Sequence, residues 1–219
     1  MSKQSYAIFG LGTFGTQLAL ELTRSGNKVL VCDIARPRVD DICDKVAEAV
    51  VADVSNADAV RELDVSKFDA VILGMSSHFE KQVLALTLLR QEGARRILAK
   101  ATSDIQEQVL YRLGADRVIQ PDQDAAETLA RRLSLVNISD FFEFKGYAIA
   151  EVVVPGALAG STLRALDLRN RFNITVLLLR RAESSEETEP GPDIVLDKGD
   201  QLTVFGRREA ILELFKEEE

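Results

Sequence analysis

Three glycines and one aspartate are the residues whose types and spacing point to chemistry. The apolar run Tyr6-Ala7-Ile8-Phe9 ends in Gly10-Leu11-Gly12-Thr13-Phe14-Gly15. A helix-like segment follows, and a second apolar run, Lys28 to Cys32, stops at Asp33. Strand, glycine turn, helix, strand and terminal acid, in that order, form a dinucleotide-binding fingerprint. Gly10 permits the tight turn, Gly12 lets backbone approach a pyrophosphate, and Gly15 lets the helix pack close to the strand. The N–H groups of Thr13, Phe14 and Gly15 open the helix, so its positive end faces the phosphates. Asp33 is placed to accept hydrogen bonds from both ribose hydroxyls, and its charge disfavours the 2′-phosphate of NADP. Arg36 leaves that point open, because a nearby arginine can receive such a phosphate.

Further candidates sit at the ends of later strands. Asp53, in Val-Ala-Asp-Val-Ser, falls where an adenine edge would lie, with Val54 beside it; a solvated acid at a helix start is the plainer reading. Gly74-Met75-Ser76-Ser77 is expected to line the cleft beside the phosphates. Lys100 ends another strand and either meets phosphate or is a strand-end charge. His78, the single histidine, stands near the same mouth, where an acid/base role is conceivable; a surface position at a helix start is the simpler expectation. The sequence offers no HxxE, no Tyr-x-x-x-Lys and no nucleophile placed beside a base, so it specifies binding more clearly than catalysis.

The elements that must position these residues alternate over residues 5–120. Apolar runs at Tyr6–Phe9, Val29–Cys32, Ala49–Ala52, Ala70–Leu73, Ile97–Lys100 and Arg117–Ile119 read as strands buried on both faces of a parallel sheet. Helix-period segments lie between them at 14–25, 36–45, 56–63, 79–92 and 104–113. Gly26, Gly93 and Gly114 follow three of these at the left-handed C-cap position. The expected fold is a doubly wound, parallel-sheet Rossmann domain.

Pro121 breaks the alternation. Asp122 or Asp124 can cap a helix through Ala125–Leu135. Residues 137–146 are rich in phenylalanine (Phe141, Phe142, Phe144) and read as a connector that crosses to, and packs against, another subunit, or else packs on its own domain. From Tyr147 a small β-α-β-β-α module follows: a strand to Val154, a helix from Ser161 or Thr162 to near Arg169, a strand at Ile174–Leu179, an acidic loop at 182–193, a turn at Asp197–Asp200, a strand at Gln201–Phe205 and a helix at Arg208–Phe215. The division is therefore 1–136 for the nucleotide-binding domain, 137–146 for the crossover segment and 147–219 for a small α+β C-terminal module.

Bulk properties exclude several classes. The chain of 219 residues is 46% hydrophobic and 28% charged, as ordinary globular proteins are. The net charge of −8 is local, concentrated in Glu183, Glu186, Glu187 and Glu189 of one loop and in Glu217, Glu218 and Glu219 of the tail. No basic stripe suggests nucleic-acid binding. No apolar run is long enough for membrane insertion, and Met1 to Gln4 leave no room for a signal peptide before the first strand. Cys32 and Cys43 lack CxxC spacing and read as buried free thiols in a reducing cytosol.

Over its full length the chain resembles the cytosolic regulatory subunits of Trk/Ktr-type potassium-uptake systems, in which a Rossmann RCK (regulator of potassium conductance) domain precedes a small C-terminal module. The resemblance rests on Phe9-Gly-Leu-Gly-Thr-Phe-Gly15, Asp33-Ile34, Lys100-Ala101, Gly114-Ala-Asp-Arg-Val-Ile119 with Pro121, Leu166-Asp-Leu-Arg169 and Lys198-Gly-Asp200. It adds Leu11, Ile34 and Arg117 to the expected nucleotide set. It implies a homo-oligomer, dimers assembling into an octameric or tetrameric ring, that lies at the inner face of the cell membrane under a membrane potassium-channel subunit. ATP or ADP, sometimes NADH, in the cleft would change the shape of the ring. The family pattern often has arginine, meeting terminal phosphates, where Thr13 stands here, which puts ATP-over-ADP discrimination in doubt. The resemblance also implies a divalent cation (Mg or Ca) at Asp122, as an alternative to a helix cap, and a cyclic di-AMP site near Arg169, Asn173, Ile174 and Pro192, as an alternative to plain dimerisation. Two other readings of the same residues stay open: an NAD-dependent oxidoreductase, and a freestanding nucleotide sensor with another partner.

Overall fold

The structure is a computed structural model that describes residues 3–75, 78–134 and 138–215. It divides into two compact units, Met1–Ala125 and Ala126–Glu219.

In the first unit the strands are β1 (Ser5–Phe9), β2 (Lys28–Asp33), β3 (Glu48–Val51), β4 (Ala70–Leu73), β5 (Ile97–Lys100) and β6 (Arg117–Ile119). The helices between them are α1 (Thr13–Arg24), α2 (Arg36–Asp40), α3 (Ala57–Glu62), α4 (Phe79–Gln91) and α5 (Asp104–Arg112). The six strands form one sheet in the order β3-β2-β1-β4-β5-β6, with all pairs parallel. Adjacent residues of one strand feed opposite layers. Ala7 and Phe9 pack with Leu73, Leu86 and Ile97, whereas Ile8 packs with Ala19, Val31 and Ile72. Coverage of both faces is why these strands are continuously apolar rather than alternating.

Helix ends follow local chemistry. Gly26, Gly93 and Gly114 take φ of +83°, +77° and +102°, as the C-cap geometry requires. The segment expected as one helix over 36–45 is instead α2 followed by a single 3₁₀ turn at Cys43–Lys45. Asp40, Asp41 and Asp44 crowd its C-terminal end, where the helix dipole disfavours negative charge.

The helix α6 (Pro121–Ser134) begins earlier than expected. Proline suits the first helical position, and the N–H of Asp124 donates to the carbonyl of Gln120 (2.9 Å). Asp122 and Asp124 therefore lie in the first turn, and neither is its N-cap.

The second unit holds β7 (Ile138–Phe144), β8 (Tyr147–Val153), α7 (Leu163–Leu166), α8 (Leu168–Phe172), β9 (Thr175–Arg180), β10 (Glu187–Thr188), β11 (Gln201–Arg207) and α9 (Arg208–Leu214). Its sheet runs β10-β9-β11-β8-β7, all antiparallel. The aromatic segment read as a connector is thus an edge strand from Ile138 onward; Asn137 lies outside the described residues. Lys145 and Gly146, with φ of +52° and +81°, make the two-residue turn whose twist suits a hairpin. One sheet face is core: Ala148, Ala150, Val152, Leu202 and Val204 pack with Leu168, Ile211 and Phe215. The other face presents Phe142, Phe144, Tyr147, Ile149 and Phe205, each at least 41% exposed, with the Tyr147 and Phe205 rings stacked.

Candidate functional site

Every strand of the parallel sheet ends its C-terminal edge on the same side, which is where such folds bind ligands. The turn after β1 is shaped by backbone contact. Gly10 has φ +98°, and a Cβ there would meet the backbone nitrogen of Met75 at 2.8 Å. At Gly15 a Cβ would stand 2.0 Å from the carbonyl oxygen of Gly10, so this glycine lets α1 lie on the turn. Gly12 differs, since a Cβ there meets nothing within 4 Å. It faces open cleft, and as the N-cap of α1 it offers no side chain to the first turn. First-turn N–H groups have no intrahelical partner and so stand ready for an anion.

Asp33 holds this turn from beneath. Its Oδ2 accepts the Leu11 N–H at 2.6 Å and its Oδ1 the Ala35 N–H at 2.8 Å. The carboxylate is nearly buried, and Arg38 Nη1 lies 3.5 Å from Oδ2. Each oxygen retains acceptor capacity, so the expected ribose contacts are sterically open in number.

Two clefts adjoin at this acid. One, of about 300 Å³, is lined by Cys32, Asp33, Ile34, Asp53, Val54 and Lys81, together with Ala35, Ala52 and His78. The other, of about 500 Å³, is lined by Gly12, Thr13, Phe14, Gly74, Lys100 and Asp122, together with Gln17 and Pro121. Gly10, Asp33, Arg38 and Met75 border both. A longer ligand with a base-and-ribose end and a phosphate end fits this pair of lobes.

In the first lobe Asp53 is part-exposed and firmly partnered. Its Oδ1 accepts from Ser55 N–H (3.0 Å) and Oγ (2.6 Å), and its Oδ2 accepts from Lys81 Nζ (2.7 Å). The Lys81 bond, then the Ser55 hydroxyl, holds its carboxyl down at about 2. The Cys32 thiol, which contacts the Ala52 carbonyl, is pushed up to about 12 by burial and is inert at neutral pH, whereas Cys43, expected to be buried too, is exposed in the 3₁₀ turn after α2.

In the second lobe Lys100 Nζ pairs with Asp122 at 2.9 Å and lies 5.9 Å from the centre of the Phe14 ring. Asp122 therefore faces a lysine rather than a metal set, and among the described residues no three His, Cys, Asp or Glu side chains converge.

Not every expected residue joins the clefts. Leu11 and Gly15 act from behind the turn, Leu11 through its N–H. Arg36 is exposed and lines neither lobe. Arg117, exposed at the start of the three-residue β6 and level with Leu98 of β5, lines neither lobe. Ser76 lies outside the described residues. In the second unit, Arg169 on α8 and Asn173 at its C-cap are exposed, but the Ile174 side chain is 1% exposed in the core, and the Pro192 carbonyl accepts from the Arg164 N–H (2.8 Å). Of those four, Arg169, Asn173 and Pro192 present exposed side chains and Ile174 does not. The residues missed from sequence are Arg38, Lys81 and Gln17. Only for Arg38 did the sequence hold a signal, one turn past the acid of β2.

Residues 6–121 match the TrkA-N domain and residues 148–218 the TrkA-C domain. The chain is 30% identical over 216 residues to the Ktr system potassium uptake protein A of Vibrio alginolyticus, covering 97% of each. It is 29% identical over 205 residues to the Ktr system potassium uptake protein C of Bacillus subtilis, covering 93% of this chain and 92% of that one. Among solved structures, its fold is like the GsuK RCK domain (TM-score 0.64, 19% identity, all of this chain and 49% of that one). It is also like a GsuK channel bound to NAD (TM-score 0.63, 19% identity, 99% of this chain and 40% of that one). The chain thus spans half or less of those GsuK polypeptides. A Rossmann unit with its glycine turn intact, a small antiparallel module after it and two family domains in that order lead to one conclusion: the chain belongs to the family of TrkA-N and TrkA-C domain proteins that includes the Ktr-system potassium uptake proteins.

Proposed function

We propose that this chain is the cytosolic, nucleotide-sensing regulatory subunit of a bacterial potassium channel or transporter, acting by ligand-dependent conformation rather than by catalysis. The observation that carries the reading is the two-lobed cleft joined at Asp33, in a chain that aligns almost end to end with potassium uptake proteins. Gly10, Gly12, Thr13, Phe14, Gly74 and Lys100 form the phosphate end; Asp33, Ile34, Asp53 and Val54 form the ribose and base end. ATP, ADP or NAD(H) is the class of ligand that fits. A nucleotide acts on the channel only through different affinity for two arrangements of the assembly.

The assembly in this reading is a homo-oligomeric ring of dimers at the inner face of the membrane, bound to a membrane potassium-channel subunit. Residues 1–136 serve as its nucleotide-binding domain and 147–219 as its C-terminal module. Exposed Leu129 and Leu133 on α6 and the exposed aromatic face of the second sheet supply apolar surface for subunit contact, in line with a joining role for 137–146. Among the described residues no helix is long and apolar enough to cross a membrane, so the reading assigns transport to the partner.

Calorimetric titration with ATP, ADP, NADH and NADPH, with size followed by light scattering, tests this. Adenine nucleotide binding by an oligomer, without NADPH binding, supports it. A monomer that prefers a nicotinamide cofactor and turns it over sinks it in favour of an oxidoreductase. Co-purification with a membrane potassium-channel subunit tests the partner.

A further inference from the structure

The phosphate lobe has a charge problem. Thr13 brings a neutral hydroxyl to the first turn of α1, and Lys100 is already held by Asp122 at 2.9 Å, with its side chain 14% exposed. An adenine nucleotide diphosphate brings several negative charges that backbone N–H groups alone partly offset. Arg36, the arginine the sequence offered for a 2′-phosphate, lines neither lobe.

Arg38 is placed differently. It borders both lobes, and its neighbour Val39 is buried at 4% exposure, which anchors α2 beside the cleft. Its guanidinium lies 3.5 Å from Asp33 Oδ2, with the arginine side chain 58% exposed and the aspartate 5%. That separation is long for a charge-assisted hydrogen bond, and Oδ2 already receives the Leu11 N–H at 2.6 Å. A ribose diol would need the remaining acceptor sites of Asp33, one of which Arg38 overlies.

We infer that Arg38 is the side-chain cation for the nucleotide's pyrophosphate, supplying the charge that Thr13 lacks, and that binding exchanges the Asp33–Arg38 pair for a ribose–Asp33 and a phosphate–Arg38 pair. The inference rests on the nucleotide reading of the cleft. Its logic is an exchange: the ribose takes the acceptor that holds the arginine, and the released guanidinium turns into the lobe where a planar fork meets phosphate oxygens. The phosphate thereby rewards the displacement that the ribose must make, so the arginine favours ADP and gives no help to the bare nucleoside. The same guanidinium could meet a 2′-phosphate on the ribose, and the test separates the two.

The experiment is calorimetric titration of the full chain and of Arg38→Ala and Arg38→Lys with adenosine, ADP and adenosine 2′-monophosphate. The expected result is a loss of ADP affinity of about tenfold or more in Arg38→Ala, no loss of adenosine affinity, and partial recovery in Arg38→Lys. Retained adenosine binding also shows the variant is folded. Equal loss of adenosine and ADP would mean that Arg38 only positions Asp33, and would overturn the inference. So would unchanged ADP affinity, or a loss confined to the 2′-phosphate. If the unaltered chain binds neither adenosine nor ADP, the nucleotide reading itself fails, and the inference with it.

Discussion

Two buried carboxylates, one in each unit, are dressed alike and do different work. Asp200 in the second unit is 1% exposed and Asp33 in the first 7%. Asp200 accepts the N–H groups of Ala182 (3.2 Å) and Asp197 (2.9 Å), and Arg181 Nη1 at 2.6 Å. Asp33 likewise accepts two backbone N–H groups and faces an arginine, but at 3.5 Å. The arginine of the second unit is fixed, since the same Nη1 also donates to the Val195 carbonyl and to Asp197 Oδ2, both at 3.0 Å. That cluster closes the turn at Asp197–Asp200, where Gly199 takes φ +89°. The arginine of the first unit stands at the junction of two clefts. Burial and partners are common to both acids; the difference is that one network is closed on itself and the other opens onto space for a ligand.

The largest effect should come from the glycines that frame the open network. Gly15→Ala drives a methyl into the Gly10 carbonyl, 2.0 Å away, and should cost about 3 kcal/mol or more, read as a lower melting temperature. Gly12→Ala meets no atom within 4 Å, so its melting temperature should stay close to the unaltered chain's while ADP binding is lost to a methyl where phosphate must approach. If both variants melt alike, the division between supporting and ligand-facing glycines is wrong.

A direct comparison of the two acids comes next. Asp200→Asn removes the charge facing a guanidinium in a closed network, and a cost of about 2 kcal/mol is expected, with no change in adenosine affinity. Asp33→Asn should lower stability by roughly half that and abolish measurable adenosine binding. Denaturant midpoints and calorimetry on both variants decide it. An Asp33→Asn chain that binds adenosine normally would reduce Asp33 to a turn clamp like Asp200.

The two sheets offer a subtler contrast. The first is covered on both faces, the second on one. Phe142→Asp combined with Phe144→Asp should therefore leave the melting temperature almost unchanged, since both side chains, on the edge strand, are 69% and 64% exposed, and should lower the mass measured by light scattering. An unchanged mass would remove the aromatic face from the subunit contact.

What the sequence made legible follows from the same contrast. Strands of a parallel sheet announce themselves as apolar runs, β1, β2 and β4 through burial on both faces and the edge strands β3 and β6 by shorter runs, so β1 to β6 could be placed to within a residue. Glycines past α1, α4 and α5 marked left-handed ends that the backbone adopts. β7 was harder. Its Phe142-Glu143-Phe144 alternation and the Lys145-Gly146 turn are hairpin signals, but clustered phenylalanines read equally as a surface for a partner, and on an edge strand they are exposed. Arg38 and Lys81 reach the cleft through the fold. The Lys81–Asp53 contact joins residues 28 apart in sequence, and no local spacing encodes it.

That same contact supplies the smallest and most easily titrated effect. Asp53 is held near 2 against an ordinary value of 3.8, chiefly by Lys81. A carboxyl lowered in the folded state stabilises it fully above its unfolded value, and the contribution disappears as pH falls through the folded one. The pair is also part-exposed, at 42% for Lys81 and 34% for Asp53, so solvent screening keeps the contribution small. The difference in melting temperature between the unaltered chain and Asp53→Asn should thus be constant above about pH 5 and shrink between about pH 4 and pH 2. Added salt should narrow it at neutral pH as well. A difference that instead grows on acidification would mean that Asp53 is destabilising as a carboxylate and that the Lys81 contact does not offset it.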